Sequence, residues 1–138
     1  MVAKSARFRL RTGGEVEVVD ITAKVAEAVR ASGVREGIAC VSTPGSTAAV
    51  TTIEHESGLL EDLAATLERL VPRKSPYRHN RGGDDNGDSH LRATLLGSSL
   101  SLPVSAGAPI LGTWQQVVFV ELDHRPRERE VHVQVVGE

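Results

Sequence analysis

The stretch ILGTWQQVVFVE, residues 110–121, predicts a long strand because of its Ile, Val and Phe content, and the predicted architecture depends on this strand. A second stretch, REVHVQVV at residues 129–136, predicts a partner strand. Between them, DHRP at residues 123–126 has the composition of a turn. Together these three pieces predict an antiparallel hairpin at this end of the sequence.

The rest of the sequence predicts further short strands and singly inserted helices. A turn at residues 12–14 separates the first two strands and predicts an opening hairpin. Apolar residues at helical spacing predict two helices, the second capped by Ser57, and the apolar residues of 91–96 predict a third that packs into the core. The predicted strands are 6–10, 15–19, 37–42, 48–53 and 100–104, and the predicted helices lie near 21–32, 57–71 and 90–96. This order predicts one α+β domain over residues 1–138, with largely antiparallel, sandwich-like sheets and two or three helices.

Composition excludes several classes of protein. The net charge of −2 offers no basic surface for nucleic acid. A single cysteine, Cys40, excludes an intramolecular disulfide and a thiolate zinc cluster. No stretch has the length of a membrane-spanning helix and no signal peptide is visible, so we expect a cytoplasmic protein without a membrane partner.

The polar segment from Pro72 to Ser89 is the longest predicted loop, and loops of this length are often functional. Two histidines and three aspartates fall within residues 79–90, which suits a hard-metal or zinc site. The alternative is a solvated loop in which Asp and Asn form turns. Asp88 is a candidate for the N-cap of the following helix.

Polar residues also interrupt the apolar pattern elsewhere. Ser46 and Thr47 follow a glycine and predict either a phosphate-binding nest or a plain polar turn. Glu54 and Glu121 stand at strand ends, where solvation or ion pairing competes with a catalytic role. Trp114 is the only tryptophan, and a place in the core competes with ligand stacking. Three further histidines have no polar company in the sequence and are expected to be structural or surface residues: His55, His124 and His132.

Four blocks in this sequence resemble the YjbQ family, the secondary thiamine-phosphate synthase proteins. They are PGSTAAVTTIE at 44–54, YRHN at 77–80, DNGDSHLRATLLGSSL at 85–100, and GTWQ at 112–115 followed by Glu121. The blocks occur in the family's order and span most of the chain, which is more specific than any single motif. The residues that match are Thr47, Glu54, His79, Asp85, His90, Trp114, Gln115 and Glu121.

The resemblance implies a sandwich-like α+β domain, a homotrimer and thiamine-phosphate synthase activity. That reaction joins a pyrimidine diphosphate to a thiazole phosphate and releases pyrophosphate. Two rival functions remain open: metal-assisted hydrolysis of a small phosphorylated metabolite, and non-enzymatic binding of one by a trimer.

Roles in such a site can be assigned as hypotheses. A divalent ion, magnesium or zinc, is expected between His79, Asp85 and His90. His90, Asp85 and Glu54 are the expected catalytic residues, with Glu54 hydrogen-bonding the pyrimidine. The expected substrate-binding residues are Ser46, Thr47, Arg78, Trp114, Gln115 and Glu121, and Arg92 is a further candidate phosphate clamp.

Overall fold

The computed structural model describes all 138 residues, which fold into two antiparallel sheets and three α-helices. The α+β class predicted from the sequence is confirmed. The elements in chain order are β1 (Val2–Thr12), β2 (Glu17–Asp20), α1 (Thr22–Ser32), β3 (Gly37–Ser42), β4 (Ala48–Ile53), α2 (Ser57–Leu70), a short 3₁₀ helix (Arg78–Gly82), α3 (Gly87–Leu96), β5 (Ser99–Ser105), β6 (Ala108–Pro109), β7 (Gln116–Glu121) and β8 (Arg127–Gly137).

The two sheets share one core, and α2 and α3 cover the other face of the smaller sheet. The larger sheet has the order β1-β8-β3-β5-β6, and the smaller has the order β2-β7-β4. Valines of β8 and β3 pack between the sheets against Phe119 of β7, and α1 contributes Val25 and Val29 to the same core. On its other face the smaller sheet packs against α2 and α3 through Val118 and Val120. Because β7 is buried on both faces, its four central residues, 117–120, are all apolar rather than alternating with polar ones.

Both predicted hairpins are wrong. β1 pairs with β8 in the larger sheet, whereas β2 pairs with β7 in the smaller one. β8 likewise pairs with β1 and β3 and does not pair with β7. The turns at 13–16 and 122–126 are therefore arches that cross from one sheet to the other. A short polar turn between two apolar strands has the same local pattern in a hairpin and in an arch, so only long-range pairing distinguishes them.

Three local predictions also need correction. Residues 110–115 are not strand, and β7 begins only at Gln116. Helix α2 is capped by the Glu56 carboxylate, which accepts the N–H groups of Gly58 and Leu59, and not by Ser57. Leu95, predicted to be core, is 66% exposed because α3 packs on the sheet through Ala93 instead.

The longest helix, α2, has 14 residues, and no helix combines the length and hydropathy that crossing a bilayer requires. The sandwich places the ends of β3 and β7, the start of β4 and the first turns of α3 in one region. Leu122 N–H donates to the Thr47 carbonyl at 3.1 Å and ties the end of β7 to the turn before β4. This region holds the polar side chains described next.

Candidate functional site

An open polar pocket lies between the turn that precedes β4 and the outer face of α3. Its volume is about 320 Å³, and no carboxylate lines it. The turn contributes Gly45 and Ser46, with Gly45 in the left-handed region at φ 124°. The remaining lining residues are Ala48, His90, Ala93, Thr94, Gly97 and Ser98.

Two imidazoles meet at the edge of this pocket. The ring centroids of His79 and His90 lie 4.5 Å apart, with the rings tilted by 59°. His79 projects from the 3₁₀ helix, and its Nε2 lies 3.2 Å from Asn86 Oδ1 and 3.7 Å from Asp84 Oδ2. His90 is half-buried on the first turn of α3. The structure therefore brings together two of the three residues predicted to bind a metal.

Behind the pocket, Glu121 and Arg129 form a fully buried ion pair. Arg129 Nε donates to Glu121 Oε1 at 2.8 Å and Nη2 to Oε2 at 2.6 Å. Thr12 also donates to this carboxylate at 2.6 Å. Burial alone would raise the pKa of Glu121, but the bonds from Arg129, Thr12 and the Asp123 N–H outweigh burial, so its pKa lies below the ordinary value. Glu121 is thus a structural anion, held charged by its partners.

Asp123 extends this buried network toward the imidazoles. It accepts the Thr47 hydroxyl at 3.2 Å and the Asn86 side-chain amide at 3.5 Å, and Arg127 at 2.6 Å. Burial would raise its pKa, but the His124 N–H, Thr47, Asn86 and Arg127 together hold the pKa below the ordinary value. Thr47 in turn accepts Arg129 Nη2 at 2.9 Å. A continuous chain of contacts therefore runs from the Glu121 pair to the side chain of His79.

Acid should weaken this network in a defined pH range. Because the pKa values of Glu121 and Asp123 are lowered by folding, their stabilising contribution is complete above the unfolded values near about pH 4 and is lost as pH falls through the folded ones. We expect a flat free energy of unfolding from neutral pH to about pH 5 and a steep fall below about pH 4. Urea titrations across this range test this, and Asp123→Asn should show a shallower fall. An equal slope in that variant would contradict the assignment.

Three predicted site residues lie at the other end of the smaller sheet. Ala48 pairs with Glu121 and Ile53 pairs with Gln116, so the two ends of β4, next to Thr47 and Glu54, are roughly 17 Å apart. Gln115 donates to Thr52 at this far end, and Trp114 is 73% exposed beside it. Within one chain, Glu54, Trp114 and Gln115 therefore do not join Ser46, Thr47 and His90 in a single site.

The predicted metal triad is also not assembled. The Asp85 carboxylate is exposed and is bound by Arg125 at 3.2 Å instead of facing His79 and His90. Arg78 is exposed on the 3₁₀ helix, so it remains a candidate substrate residue. Arg92, expected to clamp phosphate, is buried and donates to the Val71 carbonyl at 3.0 Å and to Glu68 at 2.9 Å. The functional roles assigned to the remaining residues stay predictions.

Asp88 is not a helix cap. It lies inside the first turn of α3, is fully buried, and accepts His124 Nε2 at 3.0 Å. His124 is in turn 2.8 Å from Glu15 through Nδ1, and these three side chains form the one group in the structure that could hold a metal ion. Sequence reasoning missed it because Glu15 and His124 were placed in hairpins. Local sequence patterns do not indicate that these two arches lie side by side, so they could not predict this group of side chains.

Relatives with closely similar sequences carry no assigned activity in their names. A "UPF0047 protein" of Methanothermobacter thermautotrophicus is 48% identical over 93% of this chain and 88% of its own length. A second "UPF0047 protein", from Archaeoglobus fulgidus, is 45% identical over 92% of this chain and 97% of its own length.

Solved structures are similar over nearly the whole chain. A YbjQ-like protein of unknown function from Sulfolobus solfataricus has a TM-score of 0.90 and 36% identity, covering 99% of this chain and 100% of its own. A hypothetical protein from Aeropyrum pernix has a TM-score of 0.91 and 37% identity, covering 98% of this chain and 99% of its own. The arrangement of sheets and helices is thus the one seen in crystals of these relatives.

The thiamine-phosphate synthase activity implied by the sequence resemblance is wrong. The relatives bear only the name UPF0047 protein, and a solved neighbour is described as a protein of unknown function. Nothing in these comparisons supports that activity or the transferase class. The resemblance on which it was based is nevertheless confirmed, because the family described as "UPF0047 protein YjbQ-like" matches residues 6–138. The chain belongs to the UPF0047 (YjbQ-like) family.

Proposed function

We propose that this protein acts in the cytoplasm and binds a small phosphorylated metabolite in the pocket between Gly45 and α3. The observation that carries the proposal is the paired imidazoles of His79 and His90 at the edge of an open pocket that no carboxylate lines. Its volume of about 320 Å³ lies at the lower end of the range for small-molecule sites. The free thiol of Cys40 fits a reducing compartment.

The pocket offers donors suited to phosphate oxygens. Hydroxyl groups come from Ser46, Thr94 and Ser98, and the His90 imidazole can donate a further hydrogen bond through a ring N–H. The contact between His79 Nε2 and Asn86 Oδ1 holds the first imidazole in place next to the second. A Cβ atom at position 45 would lie 3.3 Å from Arg129 Nη1. The absence of a side chain at Gly45 therefore lets the guanidinium of Arg129 approach the turn closely. Hydroxyl and imidazole donors therefore line the pocket, and the guanidinium of the Glu121–Arg129 pair lies behind its turn.

Replacing His90 by alanine should weaken ligand binding and leave the fold intact. His90 is half-buried and contributes a pocket-lining side chain, whereas Ala93 of the same helix makes the core contact. We expect affinity for phosphate or pyrophosphate to fall at least about tenfold, a loss of about 1.4 kcal/mol, with a melting temperature near wild type. Isothermal titration with these anions and with phosphomonoesters provides the measurement.

His132→Ala is the matched control, because this histidine lies on β8, outside the pocket, and pairs with Glu130. Its anion affinity should equal that of wild type. An equal loss in both variants would show that the binding is general surface attraction. Tight binding without turnover of any phosphoester would identify a binder, and release of inorganic phosphate would identify a hydrolase.

We further propose a homotrimer with the pocket near a subunit interface. Trp114 at 73% and Leu95 at 66% are large apolar side chains left exposed by the single chain, and Leu95 lies on the helix that forms the pocket wall. Contact between subunits buries such groups. Light scattering at micromolar concentration should give three times the mass of 14.7 kDa. Trp114→Arg should shift the protein toward monomer, and a monomeric wild type would contradict the proposal.

A further inference from the structure

A second, buried polar cluster lies where the two arches pack against α3, outside the pocket. Glu15 lies in the first arch, His124 in the second, and Asp88 on the inner side of α3. One potential ligand atom from each lies within 4.8 Å of the others. Residues 88 and 90 project about 200° apart around the helix, so this cluster and the His90 pocket lie on opposite sides of α3.

Unpartnered atoms single out this cluster. Three buried side-chain polar atoms in the structure have no hydrogen-bond partner: Asp88 Oδ2, Ser89 Oγ and His124 Nδ1. All three lie at the cluster or next to it in sequence, and the Asp88 side chain is fully buried. Leaving a buried polar atom without a partner destabilises the folded state, and a bound ion is one of the few ways to supply the missing partner.

The histidine is oriented for coordination through Nδ1. Its Nε2 lies 3.0 Å from Asp88 Oδ1 and so can carry the proton, which leaves a lone pair on Nδ1. Nδ1 is 2.8 Å from Glu15 Oε1, but the alignment is not that of a hydrogen bond. Two atoms bound to one tetrahedral Zn²⁺ at about 2.0–2.2 Å lie about 3.3–3.6 Å from each other. Nδ1 and Oε1 therefore face each other closely enough to share one ion after a separation of roughly half an ångström.

We propose that Glu15, Asp88 and His124 bind one Zn²⁺ ion that fastens the two arches to α3. One imidazole and two carboxylates form a nitrogen–oxygen set suited to zinc more than to magnesium or calcium. Arg92 donates to the other Glu15 oxygen, Oε2, at 3.3 Å and orients the carboxylate as an outer partner. Because His124 is 4% exposed and Asp88 is fully buried, the ion is structural and does not meet the ligand of the pocket.

Arg73 competes with the ion for the Glu15 carboxylate. Its guanidinium lies 3.0 Å from Glu15 Oε1, but its side chain is 54% exposed and can turn into solvent. Removing this charge leaves all three proposed ligands in place. Arg73→Ala should therefore bind Zn²⁺ at least as tightly as wild type, and we expect a severalfold gain in affinity.

The test is titration of chelator-treated full-length protein with Zn²⁺, followed by calorimetry and by thermal melting. We expect one ion per chain and a rise in melting temperature of about 5 °C or more at saturating Zn²⁺. Asp88→Asn and His124→Gln should each lower the affinity at least tenfold. His79→Ala/His90→Ala should leave both the stoichiometry and the affinity unchanged, which separates this site from the pocket.

Co²⁺ in place of Zn²⁺ gives a readout independent of stability, because its visible spectrum changes with the ligand set. If Asp88→Asn does not fold, Glu15→Gln decides the question, since Glu15 is at the less buried side of the cluster. Binding that is lost in the double histidine variant and retained in Asp88→Asn or Glu15→Gln would overturn the proposal. So would the absence of stoichiometric binding in wild type.

Discussion

Replacing Glu121 by alanine is expected to lower the free energy of unfolding by about 3–5 kcal/mol, because it leaves a buried guanidinium without its counter-charge. Both members of the Glu121–Arg129 pair are almost completely inaccessible, and two hydrogen bonds join them. Thr12 and the Asp123 N–H lose an acceptor in the same change. Urea unfolding of the variant and wild type at neutral pH measures the difference.

The control is the double variant Glu121→Leu/Arg129→Met, which removes both charges and restores apolar volume. It should recover a large part of the loss, since two buried charges are costly to desolvate even when they are paired. A double variant as unstable as Glu121→Ala would show that the hydrogen bonds to Thr12 and Thr47 matter more than the charge balance. A Glu121→Ala protein of wild-type stability would contradict the assigned role.

Replacing Phe119 by alanine should cost a further large amount, about 3–5 kcal/mol, because it opens a cavity between the two sheets. Phe119 lies in the middle of β7, is fully buried, and pairs with Val19 on one side and Val50 on the other. The surrounding strands are held by ladders on both sides, so they cannot collapse far into the space. Denaturant unfolding followed by circular dichroism measures the loss.

Leu95→Ala is the matched control for Phe119→Ala. Leu95 is also a large apolar residue in a regular element, but it is 66% exposed in the single chain. In the Trp114→Arg background, which is expected to be monomeric, its replacement should change the free energy of unfolding by no more than about 0.5 kcal/mol. A cost near that of Phe119→Ala in this background would show that Leu95 is core, whereas a larger cost only in the wild-type background would favour the proposed oligomer.

The pocket and the proposed zinc site can be distinguished by how each affects ligand binding. Pocket residues such as Ser46 and His90 belong to segments recognisable in sequence, whereas Glu15 and His124 belong to arches. If the ion fastens these arches, its removal should loosen the end of the sandwich where the Glu121 network begins. Ligand affinity at the pocket would then fall indirectly on treatment with chelator, while the double histidine variant would remove it directly.

Most helices and strands, and the long polar segment, could be predicted from local sequence patterns. Period-two stretches and apolar runs placed β3 and β4 at their observed bounds, and Gly33 ends α1 in the left-handed conformation as expected. These features depend on backbone preferences and side-chain spacing within a few residues. The proximity of His79 to His90 was also predicted, because both lie in or next to the polar segment that leads into α3.

Strand pairing and the meeting of distant polar residues could not be predicted from local patterns, because both depend on the folded chain. The hairpins predicted at both ends are arches, so β1 lies beside β8 and β2 beside β7. That pairing brings Glu15 to His124 and Thr12 to Glu121 across more than a hundred residues of sequence. It also separates Glu54 and Trp114 from the pocket. The physical reason is that strand pairing depends on the burial of both faces of β7, a property of the whole chain that no single turn encodes.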